Sequence, residues 1–292
     1  MTPTPILMLA PPGGDIAWAA GTLGRGERML ALPELRLSAA KTVGEALALH
    51  ARAEDRAGDG LLRTVAQLRF GAQRLDTIEA AQAWLQRRAE WLIPTLLDWL
   101  LRHAGPRHLV LHEPHAALRI NDTEQLLRAL PDALVVQLVE PVARYCGRLH
   151  RDMHGRLFTP PEAQHHVGTY PVLAPSLMWY RVHDTLLRVR KEQPERRWRM
   201  LRADLLRHRP DRVLPPLWTD IGLNAASPPL SPLPFAHPGP ANAPLGDDVS
   251  YLRAPQDWPD PPDAPLDPAI AHPDLRALAE RLGTPLSQGI VS

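Results

Sequence analysis

A single cysteine, Cys146, stands among the 292 residues. It excludes an intramolecular disulfide framework and any cysteine-built zinc site, and its expected role is a small buried apolar side chain in a reducing cytoplasm. Lysine is nearly as scarce. Lys41 and Lys191 are the only two among 33 basic residues, so the other 31 are arginine. Arginine stays ionised near neutral pH and makes a poor proton donor, so a mechanism that needs a lysine must use one of two positions. Neither lies in the first loop, which argues against a standard P-loop nucleotide triphosphatase. Charge of one sign is also lacking: a formal net charge of +1 gives no electrostatic case for an obligatory nucleic-acid or membrane partner. Hydrophobic runs are short. The first, Ile6 to Ala10, falls below the about 7–15 residues of a signal core and has no basic leader. No later stretch reaches the about 20 residues that cross a bilayer. These absences predict a cytoplasmic protein with no membrane partner, and nucleic acid is not expected.

What is present begins at that first run. Ile6 to Ala10 reads as a buried parallel strand, Pro11 to Gly14 as a tight turn and Asp15 to Leu23 as the first helix. This is the layout of a phosphate-cradling loop. Such a loop holds phosphate through backbone N–H groups at the helix N-terminus, helped by a basic side chain and a hydroxyl. Here Pro12 offers no N–H, and Asp15 puts a carboxylate in the first turn, where it repels phosphate.

Further along, Met29 to Leu37 reads as a short strand or extended edge. Helical periodicity then recurs near Val43–Glu54, Leu61–Phe70, Ile78–Gln86 and Trp91–His103. Trp84, Trp91 and Trp99 belong to a heavy apolar face that is expected to be core. His108 to His112 is a second central strand, followed by a helix from Asn121 to Leu130. Ala133 to Val139 is the clearest buried strand and feeds a helix from Pro141 to Met153. A helix over Ser176 to Val189, a strand over Trp198 to Arg202 and short helices over Leu205 to His208 and Asp211 to Gly222 complete the body. The alternation predicts a three-layer α/β fold, a parallel sheet flanked by helices, with ligands at the strand carboxyl ends. Fourteen prolines fall between Pro228 and Pro273, a density that excludes regular helix or sheet. The expected organisation is an α/β domain over 1–226, an extended proline-rich strap over 227–272, and a C-terminal helix and tail over 273–292. Leu275, Leu278 and Leu282 of that helix are expected to dock on the body.

Several landmarks together resemble the sulfotransferase family that uses 3′-phosphoadenosine 5′-phosphosulfate (PAPS). Pro11, Gly14 and the helix after them are similar to the family's Pro-Arg/Lys-Ser-Gly-Thr-Thr element, and Leu32-Pro33-Glu34-Leu35 to its Pro-Glu-Leu. His112-Glu113-Pro114-His115 falls where the family carries Glu-Lys-Ser/Thr-Pro, and Leu130-Pro131-Asp132-Ala133 resembles its Phe-Pro-Asp-Ala. Met200 to Leu206, Pro210 and Ile221-Gly222-Leu223 resemble its later series. The resemblance covers roughly residues 5–225 and implies the P-loop-like sulfotransferase fold, a cofactor loop around Gly13, Gly14 and Asp15, and an acceptor cleft beside it. The departures lie on the cofactor positions themselves. Pro12 and Gly13 replace the basic residue and the serine, Asp15 and Ile16 replace the two threonines, and Glu140 stands where the 3′-phosphate arginine would. Ordinary use of PAPS is therefore disfavoured, with Arg144 or Arg148 as the candidate substitutes.

His112, Glu113 and His115, at the end of a central strand, are the acid–base candidates, with Asp15 a polar contact opposite them. His150 and His154 lie four apart on one helix, yet a third metal ligand is missing, so no metal is expected. His165 and His166 are placed in a loop. The basic run from Arg188 to Arg202, interleaved with Trp198 and diluted by Glu192 and Glu195, is a solvated surface or a patch for an acidic partner, a carrier phosphopantetheine or nucleic acid. The favoured function is a diverged sulfotransferase-like protein that binds or modifies a small-molecule or peptide biosynthetic intermediate in the ancestral cleft. The alternatives are active sulfuryl transfer from PAPS to a hydroxyl or amine, and a non-catalytic pseudoenzyme with a protein partner.

Overall fold

The computed structural model describes residues 3–26, 28–52, 59–153, 161–193, 195, 197–224, 263–267 and 271–286. Its strands are β1 (Ile6–Leu9), β2 (Met29–Ala31), β3 (His108–His112), β4 (Leu134–Val139), β5 (Gln164–Val167), β6 (Tyr170–Leu173) and β7 (Trp198–Arg202). Its helices are α1 (Ile16–Gly24), α2 (Val43–Arg52), α3 (Asp59–Phe70), α4 (Leu75–Gln86), α5 (Ile93–His103), α6 (Ile120–Ala129), α7 (Val142–Met153), α8 (Pro175–Glu192), α9 (Ala203–His208), α10 (Pro210–Asp220) and α11 (Leu275–Arg281).

Five strands form one parallel sheet in the order β2, β3, β1, β4, β7. Their sequences are almost continuously apolar because both faces are covered. Leu7, Leu9, Leu111 and Val135 point into a core shared with α2 to α8 and α11. Ile6, Met8, Val110 and Val136 point the other way, onto α1, α9 and α10. This is the three-layer α/β architecture that the sequence predicts. Trp84 and Trp99 lie buried in the larger core, their rings 4.7 Å apart. Leu275, Leu278 and Leu282 are likewise buried at α11, which packs on α8.

Two expectations need correction. β2 stops at Ala31 rather than running to Leu37, because Pro33 has no N–H to give a ladder. The stretch holding His165 and His166 is no loop: both lie on β5, which pairs antiparallel with β6 across a turn where Gly168 has φ 63°. His154 and most of the proline-rich stretch lie outside the described residues. Of that stretch, Ala264 donates its N–H to the Ala143 carbonyl at 3.0 Å. Among the described residues no helix is long and apolar enough to cross a membrane.

Candidate functional site

In a parallel sheet, ligands settle at the carboxyl ends of strands whose connections leave in opposite directions. Here β1 leads across β3 to β2, whereas its neighbour β4 leads outward to β7, so the crevice opens between β1 and β4. The 10–15 loop after β1 and Glu140 after β4 meet there.

That meeting is a closed, buried network of charge. Asp15 is 4% exposed and Glu140 equally so. Glu140 Oε2 accepts the Asp15 backbone N–H at 3.2 Å, and its Oε1 accepts from Arg148 Nη2 at 2.9 Å. The same Arg148 Nη2 lies 2.7 Å from Asp15 Oδ1. Arg207, from α9, donates to both Asp15 oxygens at 3.2 Å and lays its guanidinium over the Trp18 ring, 4.2 Å from the centroid. Burial, and next to it the Asp15 charge, push the Glu140 carboxyl up to about 7 against the pull of Arg148.

The loop itself is packed against protein. A Cβ on Gly13, whose φ is 77°, would fall 2.9 Å from Leu149 Cδ1. One on Gly14 would fall 3.0 Å from Glu140 Oε2. Tyr145 caps the turn by donating its hydroxyl to the Pro12 carbonyl at 2.9 Å. Side chains from α7 and a carboxylate thus fill the cradle that glycines at 13 and 14 leave open. The Asp15 N–H at the start of this turn is already taken by Glu140, and the turn carries two carboxylates where a phosphate loop would offer a basic side chain.

A second cluster forms where β3 ends. Glu34, on the segment after β2, accepts from His115 Nδ1 at 2.6 Å and pairs with Arg36 at 3.3 Å. Burial opposes its charge, yet the His115 hydrogen bond, with the charges of His115, Arg36 and His112, holds its carboxyl below the usual range. The His115 side chain keeps 40% of its surface exposed. With Nδ1 engaged by the Glu34 carboxylate, Nε2 is the ring nitrogen left for other chemistry. His112 and Glu113 are instead buried, at 2% and 1% exposure. Glu113 is pushed up to about 8, first by burial and then by the Glu34 charge, while N–H groups of Leu37, Leu35 and Arg36 pull it back. Its two oxygens close no hydrogen bond among the described residues. The turn that faces it has Arg36 at φ 51°, the left-handed region.

The sequence-predicted residues thus separate into two groups. Gly13, Gly14, Asp15 and Arg148 come together at the closed loop, whereas His112, Glu113 and His115 gather at the end of β3, with His115 alone substantially open. Arg144 turns to Asp263 at 3.6 Å. Cys146 is buried, its thiol pushed up to about 12 by burial and the Glu140 charge. No group of metal ligands assembles among the described residues. Two site residues were missed by sequence reasoning. Glu34 had a signal, the Pro-Glu-Leu run, but no spacing ties it to His115; Arg207 had none.

Gly60 sets the position of Glu34. A Cβ there would lie 1.9 Å from the Glu34 carbonyl oxygen. Gly60→Ala is expected to lower stability by about 1–3 kcal/mol through overpacking and to pull Glu34 from His115. Thermal unfolding checks it; an unchanged midpoint would mean that the 33–36 segment yields freely.

No protein-family model matches the sequence, and comparison with curated proteins finds no match. Solved structures do match. The sulfotransferase domain of the Synechococcus PCC 7002 olefin synthase superposes with a TM-score of 0.70 at 17% identity, covering 98% of this chain and 97% of that one. The sulfotransferase domain from the curacin biosynthetic pathway gives 0.65 at 17% identity, covering 98% and 99%.

Proposed function

We propose that this chain, which has the sulfotransferase fold, has closed its phosphate loop with its own carboxylates and binds or modifies a small-molecule or peptide intermediate in the cleft where β3 ends. One observation carries the reading: Glu140 Oε2 already accepts the Asp15 N–H at 3.2 Å, the contact a phosphate oxygen would need. Arg148 and Arg207, the cations nearest the loop, direct their donors at Asp15 and Glu140 rather than at an open site. A phosphate would have to displace these carboxylates to reach the two guanidinium groups. His115, oriented by Glu34, supplies the acid–base group for any chemistry retained.

Calorimetric titration with 3′-phosphoadenosine 5′-phosphate tests the closed loop. No heat is expected at low or at physiological salt; micromolar binding, worth about 8 kcal/mol, would overturn it. That result would favour a second reading, sulfuryl transfer to a hydroxyl or amine, with the Glu34–His115 pair at the end of β3, the strand next to β1. In that reaction His115 Nε2 would take the acceptor's proton. His115→Ala is expected to fold normally and to lower turnover of an identified substrate about 10²–10⁴-fold. Undiminished turnover would remove His115 as the acid–base group.

A further inference from the structure

The outer strand β7 offers a surface that neither site uses. It pairs only with β4, and the ladder starts with the Val135 N–H donating to the Arg197 carbonyl at 2.9 Å. Alternation along a parallel ladder then turns the N–H and C=O groups of Trp198, Met200 and Arg202 away from β4. Among the described residues no strand takes them up.

A cavity flanks this edge on each face of the sheet. One, of about 670 Å³, lies against α8 and α11, where Trp198, Met200 and Leu187 make its floor. The other, of about 370 Å³, lies against α9 and α10, where Leu201, Val213 and Leu217 line it. Met200, 44% exposed, borders both. An added strand sends successive side chains to opposite faces, so the two cavities would receive alternate residues of one extended segment.

The charge around the edge selects the segment. Arg190, Lys191 and Arg281 line the larger cavity and Arg212 the smaller, all exposed and without an ion pair among the described residues. Arg188 is held by Asp184, Arg199 by Asp220 and Arg202 by Asp204, which keeps those three from folding over the edge. Seven cations therefore surround β7 against five carboxylates, those of Asp184, Asp204 and Asp220, of Glu192 at the end of α8 and of Glu195 just after it. A second copy of this chain would bring the same cations to the same edge, and like charges disfavour that pairing.

We propose that β7 is a docking edge for an acidic, extended segment of a partner protein, which adds a strand to the sheet, makes its backbone hydrogen bonds with Trp198, Met200 and Arg202, and seats alternate side chains in the two cavities. The probe is a labelled acetyl-Glu-Val-Glu-Ile-Glu-Val-Glu-amide peptide, followed by fluorescence anisotropy on the full chain. Binding is expected to weaken with salt and to fall at least about tenfold in Arg190→Glu/Lys191→Glu. Of two peptides methylated at every second nitrogen, covering the two alternate sets, the one that loses the edge-facing N–H groups should not bind, because its strand cannot donate to the edge. Equal binding of the two methylated peptides, tighter binding of a single-stranded oligonucleotide of the same charge, no binding at all, or a stable dimer by sedimentation that excludes the peptide would each overturn the proposal. Arg281→Glu, on a separate helix, serves where the double variant fails to fold, and an unchanged affinity there would count against it in the same way.

Discussion

Replacing Arg148 by methionine should cost about 3–5 kcal/mol of folding stability, since removing one partner of a buried ion pair leaves the others uncompensated. Asp15 and Glu140 would then face each other in a site that water hardly reaches, with Arg207 paired to Asp15. The loss should depend on pH. Glu140 already has its carboxyl raised to about 7 by burial and by Asp15. A group raised in the folded state contributes stability that is complete below its unfolded value, near 4.5, and lost as pH rises through the folded one. Below about pH 6 Glu140 keeps its proton with or without Arg148, so the variant should come closest to the parent there; losing Arg148 raises the Glu140 carboxyl further, so the gap should widen as pH rises above about 7. Glu140→Gln in the Arg148→Met background should recover part of the loss at pH 8. Urea unfolding across this range measures it, and a loss independent of pH would assign Arg148 a packing role instead.

Glu113→Gln should act in the opposite direction. The folded carboxyl is raised to about 8 by burial and by Glu34, so between about 4.5 and 8 the folded chain keeps a proton that the unfolded chain releases. Stability therefore falls as pH rises across that window, by on the order of 5 kcal/mol in full. Glutamine has the same shape and no proton to lose. The variant should match the parent at pH 4 and gain steadily to pH 8, most of it above pH 6. A destabilised variant at pH 8 would mean that the backbone N–H groups of residues 35–37 hold Glu113 as an anion. His183 works from the acid side: burial lowers it to about 3, so its contribution is present above about 6.5 and lost as pH falls toward 3. The two groups together place the stability maximum of the parent near pH 5–6.

The strands at His108–His112 and Trp198–Arg202 were legible in the sequence to the residue, because apolar runs between turn signals are a local property. The β5–β6 hairpin was not, because its sequence is polar and carries Pro171, which a strand tolerates only where its missing N–H is not needed. At the site, the strand–turn–helix around Gly13 and Gly14 and the carboxylate of Asp15 at its start were readable from the order of residues. The partners of Asp15 were not. Arg207 reaches it across 192 residues and Glu140 across 125, and only the order of strands in the sheet brings them together. The Glu34–His115 contact spans 81 residues for the same reason. Local chemistry could nominate His112, Glu113 and His115 alike; the sheet decided that the first two face inward and the third keeps contact with water.

That 192-residue reach between Asp15 and Arg207 also bears on time. Contacts so distant along the chain close late, after the strands have assembled and most loop entropy has been given up. Interactions absent from the folding barrier leave the folding rate nearly untouched and act on the reverse step. The charge network should therefore behave as a latch: a chain without it would reach the native state as quickly as before and come apart sooner.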